Sequence, residues 1–165
     1  MSTVQERQDS HLSTLREITD EIEFFEQLRK TNPTAPIPYT LRELKVQIKY
    51  CRDTNKARWI ETANKQKDDN RWDGAAELHS HLYSAYSHMY SGNKNKYEKA
   101  KKKYEDLARE MMDFAMDETH KMRIDNEDRV LYDGNDEAVR LFCNEMMMEM
   151  MVLNTVERKL DLIRW

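Results

Sequence analysis

The amino-acid sequence predicts an all-α fold, an elongated antiparallel bundle of about five helices with coiled-coil-like seams. Three observations carry that expectation. Glycine and proline number only three each in 165 residues, while charged residues make up 35% and hydrophobic residues 39%. A chain rich in Glu, Lys, Arg, Leu, Met and Ala favours long helices over sheets. Apolar residues recur at spacings of three and four in each long segment, the period of one helix face. The breakers are clustered: all three prolines lie within TNPTAPIPY, and Gly92 within Ser91-Gly92-Asn93.

Taken in order, His11, Leu15, Ile18, Ile22 and Phe25 mark a first helix from about Ser10 to Lys30, acidic on its outer face at Glu17, Asp20, Glu21, Glu23 and Glu26. Residues 31–39 form a Pro-rich connector that stops it. Thr40 and Glu43 have capping-box spacing and open a second helix to about Lys67, with Leu41, Leu44, Ile48, Cys51, Asn55 and Trp59 as its seam. Asp73 is the expected N-cap of a shorter third helix to about Tyr90, with Leu78, Leu82, Ala85 and Met89 inward. After the Gly92 corner, a fourth helix from about Asn95 to Arg123 turns Tyr97, Ala100, Tyr104, Leu107, Met111, Phe114 and Met122 inward. An acidic loop at 124–134 leads to the last helix. We expect a single helical domain over residues 1–165, long enough for a real core and short for two.

The last helix has the most unusual composition, with methionine at five of the six positions from Met146 to Met151. At about 100° per residue, Val139, Phe142, Met146, Met150, Leu153, Val156, Leu160 and Ile163 form a core stripe, on which Glu149 also falls. A carboxylate there is a candidate buried polar group, which costs several kcal/mol unless it is paired. Met147, Met148 and Met151 project to the other side, toward Asn144, Thr155 and Arg158. That second apolar face predicts a surface for a protein partner or for self-association, because methionine suits adaptable contacts.

Charge is segregated along the chain. The net charge is −4 overall. Residues 40–67 carry +5 and residues 104–149 carry −9. Arg42, Lys45, Lys49, Arg52 and Lys56 form a basic stripe on the second helix, accompanied by Tyr50, Trp59 and the lysine tract with Tyr97 and Tyr104, whose aromatic rings are available for stacking. Such a stripe fits either a phosphate backbone or the acidic stripes of the first and fourth helices. With net charge near zero, we rank pairing between helices above nucleic-acid binding.

Metal-dependent chemistry is a further alternative. Glu77, His81, Ser84 and His88 share one face, and Asp106, Glu110, Asp113, Asp117 and His120 another. Di-metal carboxylate bundles need Glu-x-x-His on two helices, and Asp117-x-x-His120 only approximates this. His81, His88, Asp117 and His120 are therefore the candidate ligands, beside the commoner reading of a solvated face. Glu23-x-x-Glu26 and Glu110-x-x-Asp113 resemble fragments of the carboxylate pairs in all-helical nucleotide pyrophosphatases, but lie farther apart than that pattern requires. No Gly-rich phosphate loop, zinc-spaced cysteine pair or nucleophile elbow is present in the sequence. We therefore expect a non-enzymatic interaction or oligomerisation module with no cofactor. Cys51 and Cys143 at seam positions, no signal-like N-terminus and no membrane-length apolar run lead us to expect a cytoplasmic, nuclear or virion-interior protein with no membrane partner.

Overall fold

The computed structural model describes the backbone of residues 4–67, 74–125, 133–163 and 165, and the side chains of 13, 16–64, 67, 74–113, 144–163 and 165. Five helices follow one another: α1 (Val4–Thr31), α2 (Leu41–Gln66), α3 (Ala75–Tyr90), α4 (Lys94–Asp125) and α5 (Asp133–Ile163). No strand occurs among the described residues, and the packing of neighbouring helices is that of a helical bundle. Helix α1 begins at Val4, earlier than Ser10, and the expected acidic loop is shorter than 124–134, since α4 continues to Asp125 and α5 begins at Asp133. Both extensions are polar, and helices gain such turns from propensity and one backbone bond per added residue rather than from apolar burial.

Contacts group the chain, expected to be one domain over 1–165, into two compact units. One comprises Met1–Val46 with Met147–Trp165, the other Gln47–Met146. In the second unit α3 and α4 form a helical hairpin. Ser91 ends α3, the Gly92 amide donates to the Met89 carbonyl at 3.2 Å, and the Asn93 amide donates to the His88 carbonyl at 2.9 Å. That double bond pattern is a Schellman closure, which needs a left-handed residue after the cap. Gly92 supplies it with φ of 73°. Asn93 then starts the next helix, its Oδ1 accepting from the Lys96 amide at 3.1 Å. Three residues thus end one helix and begin another.

The hairpin core contains the expected Leu78, Leu82, Ala85 and Met89 of α3 with Tyr97, Ala100 and Tyr104 of α4. Tyr86 is also buried, and on α4 Ala108 is buried in place of the expected Leu107, which is only half-buried. The small Ala108 continues the four-residue rhythm of Ala100 and Tyr104. The Tyr104 hydroxyl donates to the Met146 carbonyl at 3.2 Å, tying α5 to α4 inside the same unit. Asp73 lies outside the described residues. Gly74, with φ of 93°, occupies the N-cap position of α3 and makes no side-chain cap bond.

The first unit buries Ile22 of α1, Ala35 of the connector, Leu44 of α2 and Leu153, Val156 and Leu160 of α5. The connector is anchored by its polar groups. Asn32 Oδ1 accepts from the Thr34 amide at 3.3 Å, an Asx-type turn. The Tyr39 hydroxyl donates to the Lys159 carbonyl at 3.3 Å while the Lys159 ammonium lies 5.6 Å above the Tyr39 ring. Burial pushes the Tyr39 phenol up to about 12, against the opposing influence of Arg29. Thr40 caps α2 as expected, accepting from the Glu43 amide at 3.2 Å.

No heavy atom approaches within 4 Å of a Cβ added at Gly92, so substitution there reads backbone strain alone. Gly92→Ala is expected to lower unfolding free energy by about 1–2 kcal/mol, the cost of a left-handed alanine. Urea denaturation followed by circular dichroism checks this. An unchanged midpoint would show that the turn adopts another closure.

Candidate functional site

The methionine face differs from the expectation. Met147 is 55% exposed, but Met148 and Met151 are half-buried. Thr155, expected at the surface, is buried at 6% exposure. Residues 148, 151 and 155 stack on one side at spacings of three and four, so that side of α5 is covered rather than free. Of the three methionines expected on a partner surface, Met147 is the exposed one. Glu149 is half-buried rather than buried, and it takes part in an interaction within the structure. The cost of a wholly buried carboxylate therefore does not arise.

The exposed apolar surface is concentrated elsewhere. Five of the seven exposed large hydrophobic residues among those described lie on α2: Leu41, Val46, Tyr50, Trp59 and Ile60. Leu41 and Trp59, expected in the seam, sit at its edge, and Trp59 retains a contact with Tyr83, ring centroids 6.1 Å apart. Val46, Tyr50 and Ile60 form something different. At about 100° per residue they lie opposite Leu44, Ile48 and Asn55, which are buried. Tyr50 is 72% and Ile60 56% exposed, and Ala57 between them is exposed as well. Asp53 and Asn64 complete a row at 50, 53, 57, 60 and 64, the three-and-four spacing of a helix-packing seam, with its apolar members turned to solvent. That spacing is present in the sequence, although two polar members dilute it.

The buried side of α2 is held to α3 by polar and aromatic contacts. Asn55 is buried, its amide donating to the Cys51 carbonyl at 2.9 Å and its Oδ1 lying 3.3 Å from His79 Nδ1. For that bond Nδ1 must carry the proton. Burial, with the Arg58 guanidinium adding to it, lowers the His79 pKa from 6.5 to about 4. The imidazole is thus neutral and acts as a hydrogen-bonding core residue. The Arg52 guanidinium lies 5.1 Å above the Tyr90 ring and bonds Asp53 at 3.1 Å. Arg58 reaches Glu145 at 3.4 Å.

Of the basic stripe, Arg42, Lys45, Lys49 and Lys56 are exposed, and Arg52 is half-buried and engaged. Among the described residues neither Lys49 nor Lys56 pairs with a carboxylate. Exposed Asp53 adjoins the stripe, and exposed Glu43 and Glu61 lie on the same helix farther round, which weakens its match to a phosphate backbone. His81 lies 3.4 Å from Glu77 one turn away on α3. No group of three or more His, Cys, Asp or Glu side chains among the described residues is placed to hold a metal ion. The side chains of Asp117, His120 and Cys143 lie outside the described residues. Glu23 and Glu26, which resembled half of a metal-binding pair, both face the Arg158 guanidinium, at 3.9 Å for Glu23.

No family model, curated protein or solved structure matches this chain. No helix is long and apolar enough among the described residues to cross a membrane.

Depressed proton affinity at His79 makes stability depend on pH. An imidazole whose folded pKa lies below its unfolded value leaves the unfolded chain holding more protons. Stability is then full above pH 6.5 and falls as pH drops toward 4. Each tenfold weakening of proton binding on folding is worth about 1.4 kcal/mol, so the expected loss by the acid end of that window is on the order of 3 kcal/mol. Urea midpoints at intervals across the window check this, with His79→Gln as a non-titrating reference. Equal acid sensitivity in wild type and variant would remove His79 as the cause.

Proposed function

We propose that this protein is a helical protein-interaction module whose docking face is the outer stripe of α2, centred on Tyr50, Ala57 and Ile60. One observation carries the reading: a helix with a buried seam on one side presents a second row of apolar residues, at packing spacing, to solvent. A surface helix normally turns its apolar stripe inward and its polar residues outward. Exposed apolar rows rimmed by charge mark sites where another protein packs. Lys49 and Lys56 supply that rim, and they favour a partner helix whose own apolar stripe is flanked by carboxylates. Ala57, small between the larger Tyr50 and Ile60, provides the low point where an incoming side chain seats.

A polyanion reading uses the same lysines, but it assigns nothing to Tyr50 and Ile60 beyond stacking and must accommodate Asp53 between them. Packing accounts for the whole row, so the protein reading stands first. Met147, exposed on α5, belongs to the other unit.

The designed test is a synthetic amphipathic helix of leucines flanked by glutamates, labelled and titrated with the protein by fluorescence anisotropy. Binding with Kd on the order of 10–100 µM is expected, the range for a short single-helix contact. Tyr50→Lys with Ile60→Lys should abolish it while shifting unfolding free energy by no more than about 0.5 kcal/mol, as for other surface changes. A loss of stability above about 2 kcal/mol would mean that the row is core. Binding unaffected by the double substitution would place the site elsewhere.

A further inference from the structure

Resting on that reading, we infer that the occupant of the α2 face is a second copy of this chain, contributing the outer face of its α1. The complementary surface is present in the same molecule. On α1, Ile22 is buried, and the opposite side carries exposed Glu17, Asp20, Glu21 and Phe24. Phe24 is 63% exposed. Its ring is held edge-on against Phe25, centroids 5.3 Å apart and planes at 80°. It is therefore an oriented aromatic anchor, the residue type that dominates interface energetics when buried.

Glu23 and Glu26 are taken up by Arg158. Glu17, Asp20 and Glu21 make no ion pair among the described residues. An acidic stripe with one protruding aromatic ring on α1 thus matches a lysine-rimmed apolar row with a small residue at its centre on α2.

The two faces are different surfaces, so the contact is heterologous. A head-to-tail contact of this kind continues into chains, or closes into a ring when the rotation permits, instead of stopping at a two-fold dimer. A single helix-on-helix patch is at the small end of specific interfaces, below about 1,200 Å², and such contacts are weak and transient. Salt weakens its exposed charge pairs.

Sedimentation equilibrium on the full chain tests this. From about 10 to about 300 µM, where interfaces of this size dissociate, the average mass should climb beyond that of a dimer or ring-sized species and fall again with added salt. Lys49→Glu with Lys56→Glu, and separately Glu17→Lys with Asp20→Lys and Glu21→Lys, should each be monomeric alone. An equimolar mixture of the two should associate again, because the reversed α1 of one variant then meets the reversed α2 of the other with opposite charge. Phe24→Ala keeps all charges and should weaken self-association about tenfold. Circular dichroism verifies that each variant stays helical, and Phe24→Ala reports on the same face if the charge-reversed α1 does not fold.

A wild type that remains monomeric throughout, or a mixture that fails to recover mass, overturns the second-copy assignment. Binding of the synthetic acidic helix by that monomer would leave the docking face intact with a different occupant. Loss of both would overturn the docking face as well.

Discussion

The second unit depends on the desolvation of aromatic side chains in the α3–α4 hairpin. Tyr86, Tyr97 and Tyr104 are the largest fully buried residues described. A tyrosine removed from water gains the apolar burial of its ring, and its hydroxyl gains direction when it meets a hydrogen-bond partner. Tyr104 does so through the Met146 carbonyl, 42 residues further along the chain. The same side chain that fills the hairpin therefore fixes the Met146 end of this unit against α4. Neighbouring leucines supply area without direction, whereas this hydroxyl supplies a register. The Schellman turn at Gly92 complements it locally, because α3 and α4 can pack as a hairpin only if the chain reverses between them.

Helix α2 is joined to α3 by a related device. Asn55 and His79 form a part-buried polar pair whose geometry calls for a proton on Nδ1, while burial keeps the imidazole neutral near pH 7. A buried amide and imidazole are costly when apart and acceptable when bonded, so slippage by a turn would leave two unsatisfied groups. Trp59 against Tyr83 and Arg52 over Tyr90 bracket the pair along the same helix. The apolar members of the seam, Leu44 and Ile48, are few. Polar specificity compensates for a thin apolar stripe.

Much of this was legible from spacing alone. The fold class, the five helices and the inward residues of α3 followed from the three-and-four rhythm, and the proline cluster and Gly92 marked real corners. The Gly92 corner was readable because the chemistry is local: left-handed backbone and an Asn cap need no distant partner. What escaped was anything decided by a neighbour. Helical periodicity placed Met147, Met148 and Met151 on a second face of α5, but it does not say which sides of a helix its neighbours cover. Asn55 was placed in the seam correctly, yet His79, its partner 24 residues away, was not foreseen, since a side-chain pair across helices leaves no periodic trace. Trp59 and Leu41 fell at a seam edge because a stripe drawn by angle has no width until a neighbouring helix defines it.

The outer row of α2 was missed for a different reason, which bears on how such helices are built. Its apolar residues lie opposite the seam, so the two rows cancel in any vector measure of amphipathicity, and α2 is the least amphipathic of the five helices. A low value has two opposite causes: a helix polar all round, and a helix with two apolar faces. Burial separates them here. Leu44, Ile48 and Asn55 are inside while Val46, Tyr50 and Ile60 are outside. The lysines and carboxylates between the rows keep each apolar strip narrow, which limits non-specific association. The arrangement that hides the row from a sequence reading is thus the one that allows a helix to serve a core on one side and a partner on the other.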